Sequence, residues 1–167
     1  MSAAIATQQS RPVRESLSEY TQVALPNDAN TLGNVLGGHI MHLVDLCGGI
    51  AAWRHARRPV VTASVDHMSF LRPVRVGQLL ILKSSVNRVF QSSMEIGVKV
   101  WVEDAITGEV QHISSAYLTF VALDENGKPA SVASVLPGTE EEKRRYEQAG
   151  RRRERRVSER RSFCDQK

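Results

Sequence analysis

Cysteine is almost absent from this chain: among 167 residues there are two, Cys47 in an apolar stretch and Cys164 near the C-terminus. Two unrelated thiols make no disulfide framework, and a reducing compartment is the better match. Long hydrophobic runs are also missing. None approaches the roughly 20 apolar residues that a membrane-spanning helix needs. The first 18 residues are polar and small, without the apolar centre of a secretory signal. Arg11 and Arg14 leave a transit-peptide reading open there. Aromatic residues make up 5% of the chain. Only Tyr146 and Phe163 fall among the arginines of the C-terminal segment, which is no aromatic interleaving of the kind base stacking on nucleic acid uses.

What is present is enough for one domain with a proper core: 167 residues, 41% of them hydrophobic. The net charge of +4 is unevenly held. Residues 137–167 carry 11 Lys and Arg against 7 Asp and Glu, and the remainder carries 11 of each. The body is neutral, and the tail holds the whole excess. Glu140-Glu141-Glu142 followed by Lys143-Arg144-Arg145 suits a solvated helix, since acids three or four residues ahead of bases pair along it. With almost no apolar residues, this segment is expected to be a basic, partly helical or disordered tail.

The pattern between these ends is α+β. Tyr20–Leu25 reads as a short strand, and residues 26–36 as an Asn-, Asp- and Gly-rich loop. A helix is expected from about Gly38 to about Ala56, stopped by Arg57-Arg58-Pro59. Four strand patterns follow, at residues 60–71, 78–90, 93–103 and 110–123. The third alternates most cleanly, with Met94, Ile96, Val98, Val100 and Val102 on one face. Short links make the last three antiparallel neighbours. One long helix covers one face of such a sheet, and Trp101 falls on the other. Association with further copies is therefore expected.

The helix carries the chemistry. Apolar residues occur on most of its faces, so Asp45 lies where a carboxylate must be partnered or used. One reading is a structural carboxylate satisfied by a nearby N–H or Arg; the other is a general base or nucleophile. Gly37-Gly38 opens the helix. It is either a plain tight turn or a place where a ligand carbonyl meets free N–H groups at the positive end of the dipole.

Taken together, Asn30-x-x-Gly33-x-x-x-Gly37-Gly38 followed by Asp45 resembles the active-site segment of hotdog-fold acyl-CoA thioesterases, the cytosolic acyl-CoA hydrolases among them. Val61-Thr62-Ala63-Ser64-Val65-Asp66, Phe70-Leu71-Arg72-Pro73-Val74-x-Val76-Gly77 and Ser92-Ser93-Met94-Glu95-Ile96 extend the resemblance over roughly residues 20–125. It implies a hotdog domain over 19–125, between a flexible segment over 1–18 and the tail over 137–167. It also implies a cytoplasmic enzyme of fatty acid metabolism that hydrolyses acyl-CoA to a free acid and coenzyme A. Asp45 would be general base or nucleophile, Asn30 of a facing subunit would hold water or substrate, and the Gly38 N–H would polarise the thioester oxygen. Asn34 is the reserve for Asn30, and Gly37 lines the same turn. The assembly implied is a dimer with shared sites, built up as a trimer of dimers. Many relatives have His before the glycine pair; here that position is Leu36, so no role for such a His is available.

Coenzyme A would enter as part of the substrate, with no other cofactor. Arg57, Arg58 and Arg88 are candidates for its phosphates, with Arg72 and Arg75 weaker ones. Ser92 and Ser93 could bond its pantetheine amides, or simply make a hairpin turn. His39, His42 and Asp45 recur every three residues, but helical metal sites use i, i+4 histidines, so no metal is expected. The alternative class is a non-catalytic acyl-CoA-binding regulator whose basic tail contacts nucleic acid. No helix-turn-helix accompanies it. A hotdog dehydratase would want a His at the glycine turn, and Leu36 argues against that.

Overall fold

The computed structural model describes residues 10–164, with side chains to residue 159. In chain order the elements are β1 (Arg11–Pro12), β2 (Ser18–Val23), α1 (Gly37–Ala56), β3 (Val60–Val65), β4 (Leu79–Phe90), β5 (Ser93–Glu103), β6 (Val110–Ala122), β7 (Val135–Leu136) and α2 (Glu140–Cys164). Five strands form one sheet in the order β2-β4-β5-β6-β3, every neighbouring pair antiparallel. The long helix α1 lies across one face. This is the hotdog arrangement, and the fold class is α+β.

The alternation in β5 decides which face is which. Met94, Ile96, Val98, Val100 and Val102 are all buried in the core with α1 residues Ile40, Leu43, Val44 and Cys47. Small residues let helix and sheet approach closely. A Cβ at Gly48 would come within 3.3 Å of the Phe120 ring and 3.5 Å of Val98. Larger groups there would push α1 off the sheet. The helix ends where Arg57 takes a left-handed conformation (φ 54°, ψ 32°), its N–H bonding the Trp53 carbonyl, two residues before Pro59. The other side of α1 stays uncovered in a single chain, with Met41, Leu46 and Trp53 all exposed.

Two regions depart from the sequence expectation. The strand pattern 60–71 ends as a regular ladder at Val65. The Asp66 N–H still bonds the Tyr117 carbonyl, but residues 67–71 run beside β6 with only the Leu71 N–H on Ile113 and the Ser114 hydroxyl on the Ser69 carbonyl. Phe70 turns instead onto Gly37, where a Cβ would meet its ring at 3.3 Å. The flexible segment expected over 1–18 does not describe residues 11–18. β1 pairs in parallel with β7, Val13 and Ser16 are buried, and the Ser16 hydroxyl accepts the Val86 N–H at 3.0 Å. Residues 1–9 lie outside the described residues.

The tail is helical, and it is not merely solvated. It lies over the sheet face opposite α1, held by buried charge pairs and by Tyr146 and Ala149, which pack inward. The Glu95 carboxylate, fully buried, accepts from Arg152 (Nη2–Oε1 2.7 Å), from Arg156 (3.3 Å) and from Asn87 (3.1 Å). Burial works against the Arg152 charge, yet the Glu95 hydrogen bond together with the charges of Glu95, Tyr117 and Asp66 outweighs it and its pKa is raised. The Arg152 guanidinium also sits over the Tyr117 ring, 3.6 Å from its centroid.

His55 closes the far end of α1. Its Nε2 faces the Ala133 carbonyl at 2.8 Å, so Nε2 carries the proton, and Nδ1 is buried without a partner among the described residues. Burial pushes its pKa below the ordinary 6.5, and Arg11 nearby adds to the effect. The folded state therefore favours neutral His55. Its contribution is complete above about pH 6.5 and is lost as pH falls below that, while the unfolded chain takes up the proton first. Urea unfolding at pH 7.5 and pH 5.5 should show wild type losing stability at the lower pH. His55→Phe should start less stable and fall less between the two.

Candidate active site

Asp45 is half-buried on α1, and its strongest neighbour comes from the sheet. The Thr62 hydroxyl of β3 donates to Asp45 Oδ1 at 2.7 Å. Among the described residues Oδ2 has no partner. One carboxylate oxygen is thus oriented and the other is left open, on the side of the molecule where β3 forms a free sheet edge. Val61 and Val65 of that edge are exposed.

Two turns before Asp45 the helix begins. Leu36 is its N-cap and offers no side-chain cap; the His39 and Ile40 N–H groups bond back to the Leu36 carbonyl. The Gly37 and Gly38 N–H groups have no intrahelical acceptor, as at every helix start. Neither glycine has a positive φ, so backbone geometry does not require them. Access does. Nothing lies within 4 Å of where a Gly38 Cβ would be.

Asn30 lies in the exposed loop before α1. Its side-chain oxygen accepts the Leu32 N–H (2.9 Å) and the Asn34 N–H (3.2 Å), which aims the side-chain NH2 outward. No hydrogen bond joins Asn30 to Asp45 within the chain. Asn34 bridges to Arg75 through its backbone and closes the same loop.

Similarity to known proteins fits this arrangement. Residues 32–109 match the Thioesterase superfamily. An uncharacterized acyl-CoA thioester hydrolase of Bacillus subtilis is 43% identical over 136 residues, 81% of this chain and 79% of that one. The chain belongs to the acyl-CoA thioester hydrolases of the thioesterase superfamily. Among solved structures, an apo-hexameric acyl-CoA thioesterase superposes with a TM-score of 0.87 at 41% identity, covering 90% of this chain and 97% of that one. The acyl-CoA hydrolase of Staphylococcus aureus, in complex with butyryl coenzyme A, coenzyme A and coenzyme A disulfide, gives 0.87 at 35%, covering 93% and 95%. The same enzyme has been solved as variants with an aspartate, an asparagine or a threonine changed to alanine.

In this thioesterase the other sequence candidates scatter. Arg57 and Arg58 are exposed at the C-terminal end of α1. Arg72 bonds Gln111. Arg88 is not a free phosphate contact. It is pinned under α2, over the Tyr146 ring (4.3 Å), with its Nη1 on the Tyr146 carbonyl. Ser93 accepts from Arg153 of α2 (3.0 Å) and donates to the Phe90 carbonyl, and Ser92 sits in the β4–β5 turn beside Gln91, whose φ is 60°. His39 contacts Gln22 (3.2 Å) and Asp28 (3.6 Å), and among the described residues no three His, Cys, Asp or Glu form a metal-holding group.

Thr62 and Phe70 were missed as site residues. Both lie inside the quoted sequence matches, but nothing in their spacing ties a strand residue to a helix carboxylate 17 positions earlier. Only the packing of β3 beside α1 does so.

Proposed function

We propose that this enzyme hydrolyses acyl-CoA thioesters at sites shared between two copies, with Asn30 and the Gly38 N–H of one copy meeting Asp45 and Thr62 of the other. The observation that carries the reading is the Thr62–Asp45 hydrogen bond, which leaves the second carboxylate oxygen open at a free sheet edge. Helix geometry supports the division. Gly38 and Asp45 lie about 10 Å apart along α1, at 1.5 Å per residue, and helix N–H groups point toward the N-terminus, away from Asp45. One chain therefore cannot aim both at one thioester carbonyl, whereas a second, oppositely directed copy can. The uncovered faces of α1 and β3 are apolar enough to invite that copy.

At such a site the Gly38 N–H stabilises the developing oxyanion. Asp45 Oδ2 either takes the proton of an attacking water or attacks the carbonyl carbon itself; Thr62 holds the carboxylate in place for both routes. The Asn30 NH2 donates to the water or the substrate. In the first route coenzyme A leaves as the thiol with the proton that Asp45 took from water; in the second it leaves as the thiolate, and water then hydrolyses the acyl-Asp45 anhydride to the free acid, its proton completing the thiol. The asparagine, aspartate and threonine replaced in the Staphylococcus aureus enzyme are separated by 15 and 17 residues, as Asn30, Asp45 and Thr62 are here. Arg57 and Arg58 remain the arginines open to coenzyme A phosphate. Assembly beyond the dimer, to a trimer of dimers, is supported by the hexameric relative. No helix among the described residues is long and apolar enough to cross a membrane. Cytoplasmic placement and a role in fatty acid metabolism belong to the same proposal. Against a nucleic-acid-binding tail stands the use of Arg145, Arg152, Arg153 and Arg156 in contacts within the chain.

Mixing two inactive variants tests the shared site. Asp45→Ala and Asn30→Ala, co-refolded in equal amounts, should regain about a quarter of wild-type thiol release, because half the dimers are mixed and each mixed dimer rebuilds one intact site. No recovery in confirmed mixed dimers would place both residues in the same chain's site and overturn the reading.

A further inference from the structure

We infer that Arg156 of the tail helix is a positioning residue for the thioesterase site, acting through Asp66 on the strand and loop that set Asp45 and the glycine turn. The inference rests on the site reading above. Arg156 Nη1 bonds Asp66 Oδ2 at 2.7 Å and the same guanidinium reaches Glu95 Oε2 at 3.3 Å. All three side chains are largely shielded from water. With Arg152 they form two acids against two bases, so the cluster is internally neutral and the Asp66 pairing is not exchanged for solvent at low cost.

Asp66 stands at a junction. Four residues before it, Thr62 donates to Asp45; four residues after it, the Phe70 ring lies on Gly37 at the start of α1. Both contacts that the 60–71 segment makes with the site thus flank a single anchor. The segment needs one. β3 is the last strand of its sheet, its other edge is unpaired among the described residues, and its register against β6 slips between Thr62 and Ser64, next to the residue that holds Asp45. Beyond Val65 the regular ladder is lost. The Asp66 N–H on Tyr117 and the Arg156 ion pair fix the point from which Thr62 and Phe70 diverge. Tyr117 is in turn covered by Arg152, so sheet and tail grip the junction from both sides.

The test is a double-mutant cycle on the full-length enzyme, following thiol release from an acyl-CoA substrate. Arg156→Met should lower kcat by about 10- to 100-fold, the scale of a displacement of roughly 1 Å at a site, with KM changed less than about twofold. In a Thr62→Val background the same change should cost little more, since the contact it supports is already gone. Arg145→Met removes a tail-helix ion pair with Glu141, outside the Asp66–Glu95 cluster, and should leave kcat near wild type. If Arg156→Met does not fold, Asp66→Asn, which keeps Arg156 on Glu95, carries the same expectation. Full kcat in either folded variant, or losses that multiply with that of Thr62→Val, overturns the inference and leaves the site reading standing. Full kcat in Thr62→Val and Asp45→Asn overturns the site reading, and the inference with it.

Discussion

Asp45→Asn should abolish most turnover, lowering kcat for acyl-CoA hydrolysis by about 10²–10⁴-fold, the range for loss of a positioned general base. The variant keeps an oxygen able to accept the Thr62 hydroxyl, so the 2.7 Å contact and the local packing survive. What is lost is the charge and the proton-accepting or nucleophilic oxygen. KM should therefore change far less than kcat, since the carboxylate contributes in the transition state rather than in ground-state binding. Thiol release measured over a series of acyl chain lengths checks this and also maps specificity. Retained turnover in folded Asp45→Asn would end the case for Asp45 and reduce it to a structural carboxylate. A loss confined to KM would assign it to binding.

The second large effect is on stability. Glu95→Leu is expected to destabilise the protein by about 3 kcal/mol, the lower end for removing one partner of a buried ion pair. Arg152 and Arg156 would keep the Tyr117 ring and Asp66 as partners but lose the carboxylate that neutralises them beneath α2. In a domain of this size that amounts to roughly 6–12 °C in Tm. Glu95→Gln, which still accepts hydrogen bonds, should fall between Leu and wild type. Urea unfolding followed by circular dichroism measures both. Wild-type stability in Glu95→Leu would mean that the tail helix lies on the sheet without energetic coupling to it.

These two residues mark where the sequence is legible. Asp45 is visible because a carboxylate in an apolar helix conflicts with its neighbours, and such conflict is readable locally. The helix bounds, the three long antiparallel strands and the buried face of β5 follow from periodicities of 3.6 and 2, each expressed within one element. The glycine pair at the helix start needs only the knowledge that helix N-termini have free N–H groups.

Glu95 is a different case. It alternates with Met94 and Ile96, so its pattern reads as a solvent-facing strand residue; it is buried because a helix 45 residues later covers it. The tail's arginines look like a solvated or nucleic-acid-binding face for the same reason: charge composition does not say which charges meet. Arg88 reads as a phosphate ligand until Tyr146 and Gly150 of α2 close over it. Residues 11–16 have no periodicity to read, because their order comes from distant partners: Arg11 and Pro12 pair with β7, more than 120 positions away, and Ser16 accepts the Val86 N–H.

The sequence by itself determined the helix, the sheet strands, the acid on the helix and the open glycine turn, since each depends on interactions among near neighbours in the chain. Only the tertiary structure decided that Thr62 orients Asp45, that the basic tail is an integral layer of the fold and that β3 is an open edge. Those outcomes depend on which distant segments are brought side by side, and on charges whose worth is set by burial that no local pattern records.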